Sequence, residues 1–110
     1  MQTYQDKVNG LLGLAAKAGK IVCGADAVQE AILNKKIFIV IIANDSSIAT
    51  KEKFLRIAEQ NGIKGFEFGT IDENSKMIGK KNKAIIAVKD KNFSEAICRI
   101  LIGGDTIGQN

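Results

Sequence analysis

Two short runs of the sequence contain only apolar residues, and they restrict the folds that the chain can adopt. The runs are residues 37–43 (IFIVIIA) and 84–88 (AIIAV). Each run is far too short to span a membrane, and apolar runs of this length are typical of strands that are buried on both faces. Strands of this kind need helices on each side of their sheet. The sequence therefore predicts an α/β protein built in layers.

Segments with helical periodicity alternate with these strands. Apolar residues recur on one face of residues 4–18, and Thr3 with Asp6 can cap the start of this helix. Residues 44–47 (NDSS) and the pair Thr70 and Glu73 predict the starts of the third and fourth helices. The predicted helices are residues 4–18, 25–34, 44–61, 70–79 and a last helix capped by Asn92 with Glu95, and the additional short strands are residues 21–23 and 65–69. This order predicts a three-layer α/β/α sandwich with a small mixed sheet. We expect one domain, residues 1–102, and a flexible tail, residues 103–110.

The charge and cysteine content leave several function classes open. The 110 residues carry a net charge of +4, which allows a phosphate-rich partner without requiring one. Cys23 and Cys98 lie among apolar residues and are interpreted as reduced, partly buried thiols of a cytoplasmic protein, with a disulfide as the second interpretation. Their spacing fits no metal site, and we expect no metal and no cofactor.

The residues that enzymes commonly use are missing or unpaired. The chain has no histidine, so its serines lack the usual activating base. Their expected role is in helix caps or at the surface, and Asp45 is expected to cap the third helix. Gly13, Gly19 and Lys20 resemble a phosphate-binding loop. That motif requires four residues between its glycines and a serine or threonine after the lysine, whereas five residues separate the glycines here and Ile21 follows Lys20. We therefore predict a protein without enzymatic activity.

The joint between the first two helices, residues 18–24 (AGKIVCG), has two interpretations. A helix that starts after Gly24 presents unpaired backbone N–H groups, and Lys20 lies nearby in sequence, so a phosphate backbone can bind there. Alternatively, the two glycines only form turns and the lysine is solvated. The joint alone leaves both interpretations open.

A second basic feature is the run of residues 76–83 (KMIGKKNK), which contains four lysines and no acid. Lysines concentrated on a loop are typical of a nucleic-acid footprint, and they also occur on loops that only aid solubility. If this loop folds beside the start of the second helix, the phosphate-binding interpretation of both features gains support. The five phenylalanines, Phe38 among them, mostly lie where core is expected, and only Tyr4 is predicted to be free for base stacking.

Several motifs together resemble a known family. The matching stretches are LLGLAAKAGKIVCGADAVQEAI, IVIIANDSS, a helix that ends in QNGI, the pattern GT-x8-GK from Gly69 to Lys80, and AIIAV. They resemble the bacterial YlxQ-like branch of the archaeal and eukaryotic ribosomal proteins that bind kink-turn RNA, the large-subunit proteins of the seven-Ae and thirty-e type. The resemblance covers about residues 8–93. It implies a three-layer α/β/α sandwich that binds RNA and has no catalytic function.

The resemblance also implies a site. In the family, RNA lies against the start of the second helix, and the loop before the last strand, residues 80–86 here, closes over it. We expect Ile85 and Ile86, at the end of this loop, to offer apolar contact to unstacked bases. The implied RNA-binding positions in this sequence are Lys20, Gly24, Ala25, Asp26, Ala27, Glu30, Asn34, Lys80, Lys81, Lys83, Ile85 and Ile86.

Three of these positions depart from the family pattern. Strong binders carry an Asn-Glu pair and then a lysine, and the corresponding residues here are Asp26, Ala27 and Glu30. An ionised aspartate has no hydrogen to donate to a base edge, and Glu30 places a negative charge where the family has a positive one. The expected function is a ribosome- or translation-associated protein that binds kinked or structured RNA, such as ribosomal RNA, as a monomer. The alternative is a protein–protein interaction module of the same fold whose RNA binding is weak or lost.

Overall fold

The computed structural model describes residues 3–103, which form five helices and four strands. The helices are α1 (Tyr4–Lys17), α2 (Ala25–Leu33), α3 (Ile48–Gln60), α4 (Ile71–Met77) and α5 (Lys91–Leu101). The strands are β1 (Ile21–Cys23), β2 (Ile39–Ile42), β3 (Lys64–Glu67) and β4 (Ile85–Val88). The predicted order of elements is confirmed. The predicted tail lies outside the described residues from residue 104 onward.

The four strands form one mixed sheet in the order β1-β4-β2-β3. Strand β4 is antiparallel to both of its neighbours, β1 and β2, whereas β2 and β3 are parallel. Strands β1, β2 and β3 therefore run in the same direction. We call the end of the sheet at which these three strands finish and β4 begins the upper end, and the opposite end the lower end.

Helices cover both faces of this sheet. Along β4, Ile86 and Val88 pack into a cluster with residues of α1 and α5, while Ile85 and Ala87 pack into a second cluster with residues of α2 and α3. Side chains alternate between the two faces of a strand, so an apolar strand contributes to both clusters. The predicted three-layer sandwich with a small mixed sheet is confirmed.

The covered sheet corrects the prediction that Ile85 and Ile86 contact RNA bases. The side chain of Ile85 is 1% exposed and that of Ile86 is 0% exposed. Both are central residues of the two core clusters, and burial of each side chain contributes about 1.5–3 kcal/mol to the hydrophobic stabilisation. Neither side chain is available to a ligand, and the loop before β4 contributes only residues up to 84.

Most helix starts agree with the sequence-based prediction. Thr3 and Asp6 form a capping box at α1, Ser47 caps α3, and the Thr70 hydroxyl accepts from the backbone N–H of Glu73 at α4. The predicted cap of the last helix is wrong, because Asp90 and not Asn92 accepts from the backbone N–H of Phe93 at 2.8 Å. Helix α5 therefore begins almost directly after β4.

Other polar residues also differ from expectation. Asp45 does not cap α3; its carboxylate accepts from the backbone N–H of Ile71, the first residue of α4, at 2.9 Å. Ser75 and Ser94 are each 2% exposed and are neither surface nor capping residues. Phe38, which was expected in the core, is 47% exposed and immediately precedes the first residue of β2. Cys23 and Cys98 are free and partly buried.

Helix α2 ends differently from its neighbours. Helices α1, α3 and α4 are each followed, one residue after the C-cap, by a glycine with φ of 71–73°. In α2 this position holds Lys35, with φ of 59°. The backbone N–H groups of Lys35 and Lys36 donate to Ile32 and Ala31, both at 3.0 Å, which is the same hydrogen-bond pattern as at the other helix ends. Lys35 therefore adopts a left-handed backbone conformation, which glycine adopts at lower cost than lysine.

We expect the substitution Lys35→Gly to stabilise the protein. A side chain in the left-handed region costs about 1–2 kcal/mol, and the added chain entropy of glycine in the unfolded state offsets part of the gain. The expected net effect is an increase of about 0.5–1 kcal/mol in the free energy of unfolding, measured by urea denaturation. Lys36→Gly, which replaces the next residue, serves as the control and is expected to give no such increase. An unchanged or lower stability of Lys35→Gly would contradict the prediction.

Candidate nucleic-acid interface

The start of α2 is an open helix N-terminus at the upper end of the sheet. Gly24 adopts φ 93° and ψ 146°, and its carbonyl accepts the first helical hydrogen bond, from the backbone N–H of Val28 at 2.9 Å. No side chain within residues 3–103 caps this helix, and Ala25, Asp26 and Ala27 are exposed. The first-turn backbone N–H groups therefore face solvent, where they and the helix dipole favour an anion.

Pairing of β1 with β4 brings the lysine-rich loop to this helix. Cys23 is opposite Ile86, and the backbone N–H of Gly24 donates to the carbonyl of Ile85 at 2.9 Å. The residues just before β4 must therefore lie beside the start of α2. The side-chain ammonium Nζ of Lys83 is 3.8 Å from the position that a Cβ atom on Gly24 would occupy. The structure thus brings together two features that are 59 residues apart in sequence.

The loop that carries the lysines is held by a buried serine of α4. The hydroxyl of Ser75 accepts from the backbone N–H of Lys83 at 2.8 Å, and the Ser75 carbonyl accepts from the backbone N–H of Lys80, also at 2.8 Å. Asn82 has a left-handed conformation, with φ of 60°, that turns the chain toward β4. These contacts fix both ends of the loop, while Lys80 and Lys81 remain exposed.

Lys80 and Lys81 line an open cavity of about 560 Å³ between the loop and α4. Asp45 and Asp72 contribute carboxylates to the same cavity. Asp45 is engaged by the backbone of α4, as described above, and Asp72 forms an ion pair with Lys76 at 3.2 Å. In the described part of the chain, neither Lys80 nor Lys81 has an ion-pair partner, so both charges are available to a ligand.

Two acidic residues lie on the outer side of α2. Asp26 and Glu30 are exposed and are four residues apart, so they lie above one another on the same side of the helix. Two like charges at this spacing destabilise a helix by about 0.2–0.5 kcal/mol. The carboxylate of Asp26 is also in the first turn of α2, where the helix dipole favours it. A ligand that binds the first turn therefore meets one or both carboxylates.

Two of the predicted residues are not part of this group. Lys20 precedes β1 and Asn34 follows α2, so both are at the lower end of the molecule. Four residue steps along β1 separate Lys20 from Gly24 by about 13 Å, and nine residues of α2 separate Asn34 from Gly24 by a similar distance. The upper-end group, which we call the upper site, consists of Gly24, Ala25, Asp26, Ala27, Glu30, Lys80, Lys81 and Lys83.

Ser75 positions the lysines, but the sequence around it does not predict this role. No local pattern identifies it, because its partner Lys83 is reached only through the fold of the loop. Asn82 does carry a local signal, since asparagine between lysines in a polar stretch favours a turn.

Residues 3–103 contain neither a candidate membrane span nor a candidate metal site. No helix within residues 3–103 is both long enough and apolar enough to cross a membrane. The same residues include no group of three or more histidine, cysteine, aspartate or glutamate side chains placed to hold a metal ion.

Two proteins with similar sequences are both named RNA-binding protein YlxQ. The chain is 32% identical over 99 residues to the RNA-binding protein YlxQ of Enterococcus faecium, covering 90% of this chain and 95% of that protein. It is 28% identical over 94 residues to the RNA-binding protein YlxQ of Bacillus subtilis (strain 168), covering 83% of this chain and 91% of that protein. Both alignments include most of the two chains.

Solved structures show the same architecture. A protein of unknown function from Bacillus halodurans C superposes with a TM-score of 0.84 at 32% identity, over 87% of this chain and 97% of the other. The Giardia lamblia 15.5kD RNA binding protein superposes with a TM-score of 0.78 at 14% identity, over 96% and 92% of the two chains, and shows likeness of fold alone. A family model matches residues 6–98. The chain therefore belongs to the ribosomal protein L7Ae/L30e/S12e/Gadd45 family.

Proposed function

We propose that this protein binds structured RNA at the upper site and catalyses no reaction. Backbone N–H groups at the start of α2 hold phosphate oxygens, and Lys80, Lys81 and Lys83 neutralise neighbouring phosphates. A sharply bent RNA, such as a kink-turn, presents phosphates of two strand segments to these two groups at once. The proposal further places this activity in the cytoplasm, in a monomer that acts on ribosomal RNA or with the translation apparatus.

The observation that carries the proposal is the position of the Lys83 ammonium over Gly24. A cation next to an uncapped helix N-terminus creates a compact region of positive potential that suits a phosphate group. Glycine at this position keeps the space in front of the helix free of a side chain, so that a bulky ligand can approach the backbone. The names of both YlxQ relatives, which describe RNA-binding proteins, support RNA as the ligand.

A second candidate function is a protein–protein interaction through the same surface. Asp26 and Glu30 favour it, because carboxylates on the exposed side of α2 repel phosphates and attract basic side chains. In this case the lysines of the loop add solubility or contact an acidic region of the partner. The two candidates make opposite predictions for binding to RNA alone.

The test is a titration of the protein with a kink-turn RNA and with a straight duplex of equal length, at about 50 and 200 mM salt. We expect the kink-turn to bind more tightly at both salt concentrations, since only the bent RNA reaches both the α2 start and the loop. Equal affinity for the two RNAs would contradict recognition of the bend. Absence of binding to either RNA at low salt would reject the RNA proposal and favour the protein–protein interaction module.

A further inference from the structure

The lower end of the sheet carries a second group of basic residues, separate from the upper site. It consists of Lys20, Lys35, Lys36, Lys89 and Lys91, together with the aromatic side chain of Phe38. All five lysines are exposed. We call this group the lower surface. It includes Lys20, which the sequence predicts to lie beside the start of α2.

Strand pairing brings these residues together. The backbone N–H of Lys89 donates to the carbonyl of Lys20 at 2.9 Å, where β1 begins and β4 ends. On the other side of β4, the backbone N–H of Phe38 donates to the carbonyl of Val88, also at 2.9 Å. Neighbouring strands are about 4.8 Å apart, so Lys20, Lys89 and Phe38 occupy adjacent positions across the end of the sheet. Lys36 lies two residues before Phe38 in sequence.

The lysines of the lower surface form no ion pairs with residues 3–103. Asp90 lies between Lys89 and Lys91 in sequence, and its carboxylate accepts a hydrogen bond from the backbone N–H of Phe93 and caps α5. The result is a concentration of positive charge that faces solvent.

Local structure does not account for all of these lysines. The dipoles of α1 and α2 favour cations after their C-terminal ends, which explains Lys20 and Lys36. The dipole of α5 disfavours Lys91, because this lysine is the first residue of the helix. Lys35 occupies the left-handed position that holds glycine after three other helices. The helix dipole therefore opposes the charge of Lys91, and the left-handed backbone opposes any side chain larger than glycine's at position 35.

Phe38 adds a group that suits an unstacked base. Its side chain is 47% exposed, although the residues that follow it in β2 are buried. An exposed aromatic ring beside lysines is the combination by which proteins stack bases while contacting the adjacent phosphates, and stacking contributes about 1–3 kcal/mol per base. The lower surface therefore fits an RNA segment with an accessible base better than it fits a phosphate group alone.

We propose that the lower surface is a second RNA-binding surface, which binds a backbone segment distinct from the one at the upper site. The two are about 13 Å apart along β1, which exceeds the screening length of about 8 Å at physiological salt. Each surface therefore attracts its own phosphates, and one protein holds two RNA segments at opposite ends of its sheet. The inference extends the proposed function but does not depend on kink-turn recognition.

An anionic membrane is the alternative ligand for a lysine-rich surface with an exposed aromatic residue. Helices that lie on membranes present a continuous apolar face along their length. The lower surface is instead made of strand ends and helix ends, with Phe38 as its one aromatic ring. This arrangement favours RNA, and the membrane is included below as an outcome of the test.

The test compares a lower-surface variant with a control of equal charge. The variant combines Lys20→Ser, Lys36→Ser and Lys89→Ser; the control combines Lys53→Ser, Arg56→Ser and Arg99→Ser, which lie on the outer sides of α3 and α5. With a straight RNA duplex, we expect the variant to lose at least about five-fold in affinity and up to about 2.7 in the slope of log K against log salt concentration. A variant that binds the duplex as tightly as the control would overturn the proposal.

A second measurement detects two RNA segments on one protein. Donor-labelled and acceptor-labelled duplexes, mixed with excess RNA over protein, are expected to show energy transfer with the wild type and with the control. The lower-surface variant is expected to lose the transfer while still binding one duplex. If the transfer persists in the variant, the second segment is held elsewhere, and the proposal is wrong.

Two further comparisons separate this inference from the proposed function: RNA titration of a variant of the loop lysines, and vesicle binding by the lower-surface variant. If replacing Lys80, Lys81 and Lys83 leaves RNA affinity unchanged while the lower-surface variant loses it, the upper site is wrong and the lower surface stands. If the lower-surface variant loses affinity only for vesicles that contain phosphatidylserine, the ligand is a membrane, and RNA binding at this end is rejected.

The variant Lys35→Gly tests the lower surface in a way that excludes unfolding as the cause of weaker RNA binding. This variant is expected to be more stable than the wild type, as argued above, and yet to bind duplex RNA about two- to five-fold more weakly, with a salt slope smaller by about 0.9. Weaker binding by a more stable protein does not arise from unfolding, and the smaller salt slope assigns it to the lost charge. Unchanged affinity would exclude Lys35 from the surface and contradict its assignment.

Discussion

Replacing Lys80, Lys81 and Lys83 together by serine is expected to lower the affinity for RNA on the order of 100-fold near physiological salt. Each lysine that neutralises a phosphate releases about 0.9 of a counterion, so three contacts account for a slope change of about 2.7 in log K against log salt concentration. The loop itself should keep its shape, because Ser75 holds it through the backbone of Lys83 and not through the lysine side chains. Fluorescence anisotropy titrations at several salt concentrations measure both quantities.

The control for this experiment is the triple variant Lys53→Ser, Arg56→Ser and Arg99→Ser, which removes the same charge from exposed positions that belong to neither the upper site nor the lower surface. It is expected to change affinity by less than about five-fold, through the weaker overall attraction between protein and RNA. If the control and the loop variant lose the same affinity, the effect comes from net charge alone. The loop would then not be part of the RNA site.

The double substitution of Asp26→Asn and Glu30→Lys is expected to raise RNA affinity by about ten-fold or more. An asparagine amide both donates and accepts hydrogen bonds, whereas the ionised aspartate only accepts. Lysine at position 30 removes a charge that repels phosphates and adds one that attracts them, which steepens the salt slope by about 0.9 for one new phosphate contact. The same titrations, with a kink-turn RNA and a straight duplex, measure the change.

A matched control distinguishes the effect of the substituted positions on α2 from the effect of the higher net charge. Glu52→Lys with Glu59→Gln changes the net charge by the same amount on the exposed side of α3. The control is expected to raise the affinity for both RNAs only slightly and equally, while the α2 variant gains more for the kink-turn. If both variants gain equally, the exposed side of α2 does not face RNA, and the upper site must be reconsidered.

Much of the fold follows from local patterns in the sequence. The apolar runs around β2 and β4 predict strands with both faces covered, and the structure places Ile85 and Ile86 in the two opposite core clusters. The capping residues Thr3, Ser47 and Thr70 mark helix starts correctly because a cap is a contact over three residues. The same local signal was misleading at α5, where Asn92 fits the pattern but Asp90 makes the hydrogen bond.

The candidate site was predictable only in part. Gly24 and the lysines of residues 76–83 were recognised from composition and spacing, and the resemblance to the family indicated that they belong together. Ile85 and Ile86 were assigned to the site because of their place after the loop, although a central strand buries both. Ser75 was not recognised because its contact with Lys83 depends on how the loop folds back on α4.

The sequence by itself determined the class of fold, since hydrophobic periodicity and caps act over a few neighbouring residues. Only the tertiary structure decided which basic residues share an end of the sheet. Lys20 is four residues from Gly24 but lies at the opposite end of β1, whereas Lys83 is distant in sequence and lies over Gly24. The reason is the antiparallel pairing of β4 with β1, a long-range choice of direction and register that no local pattern encodes.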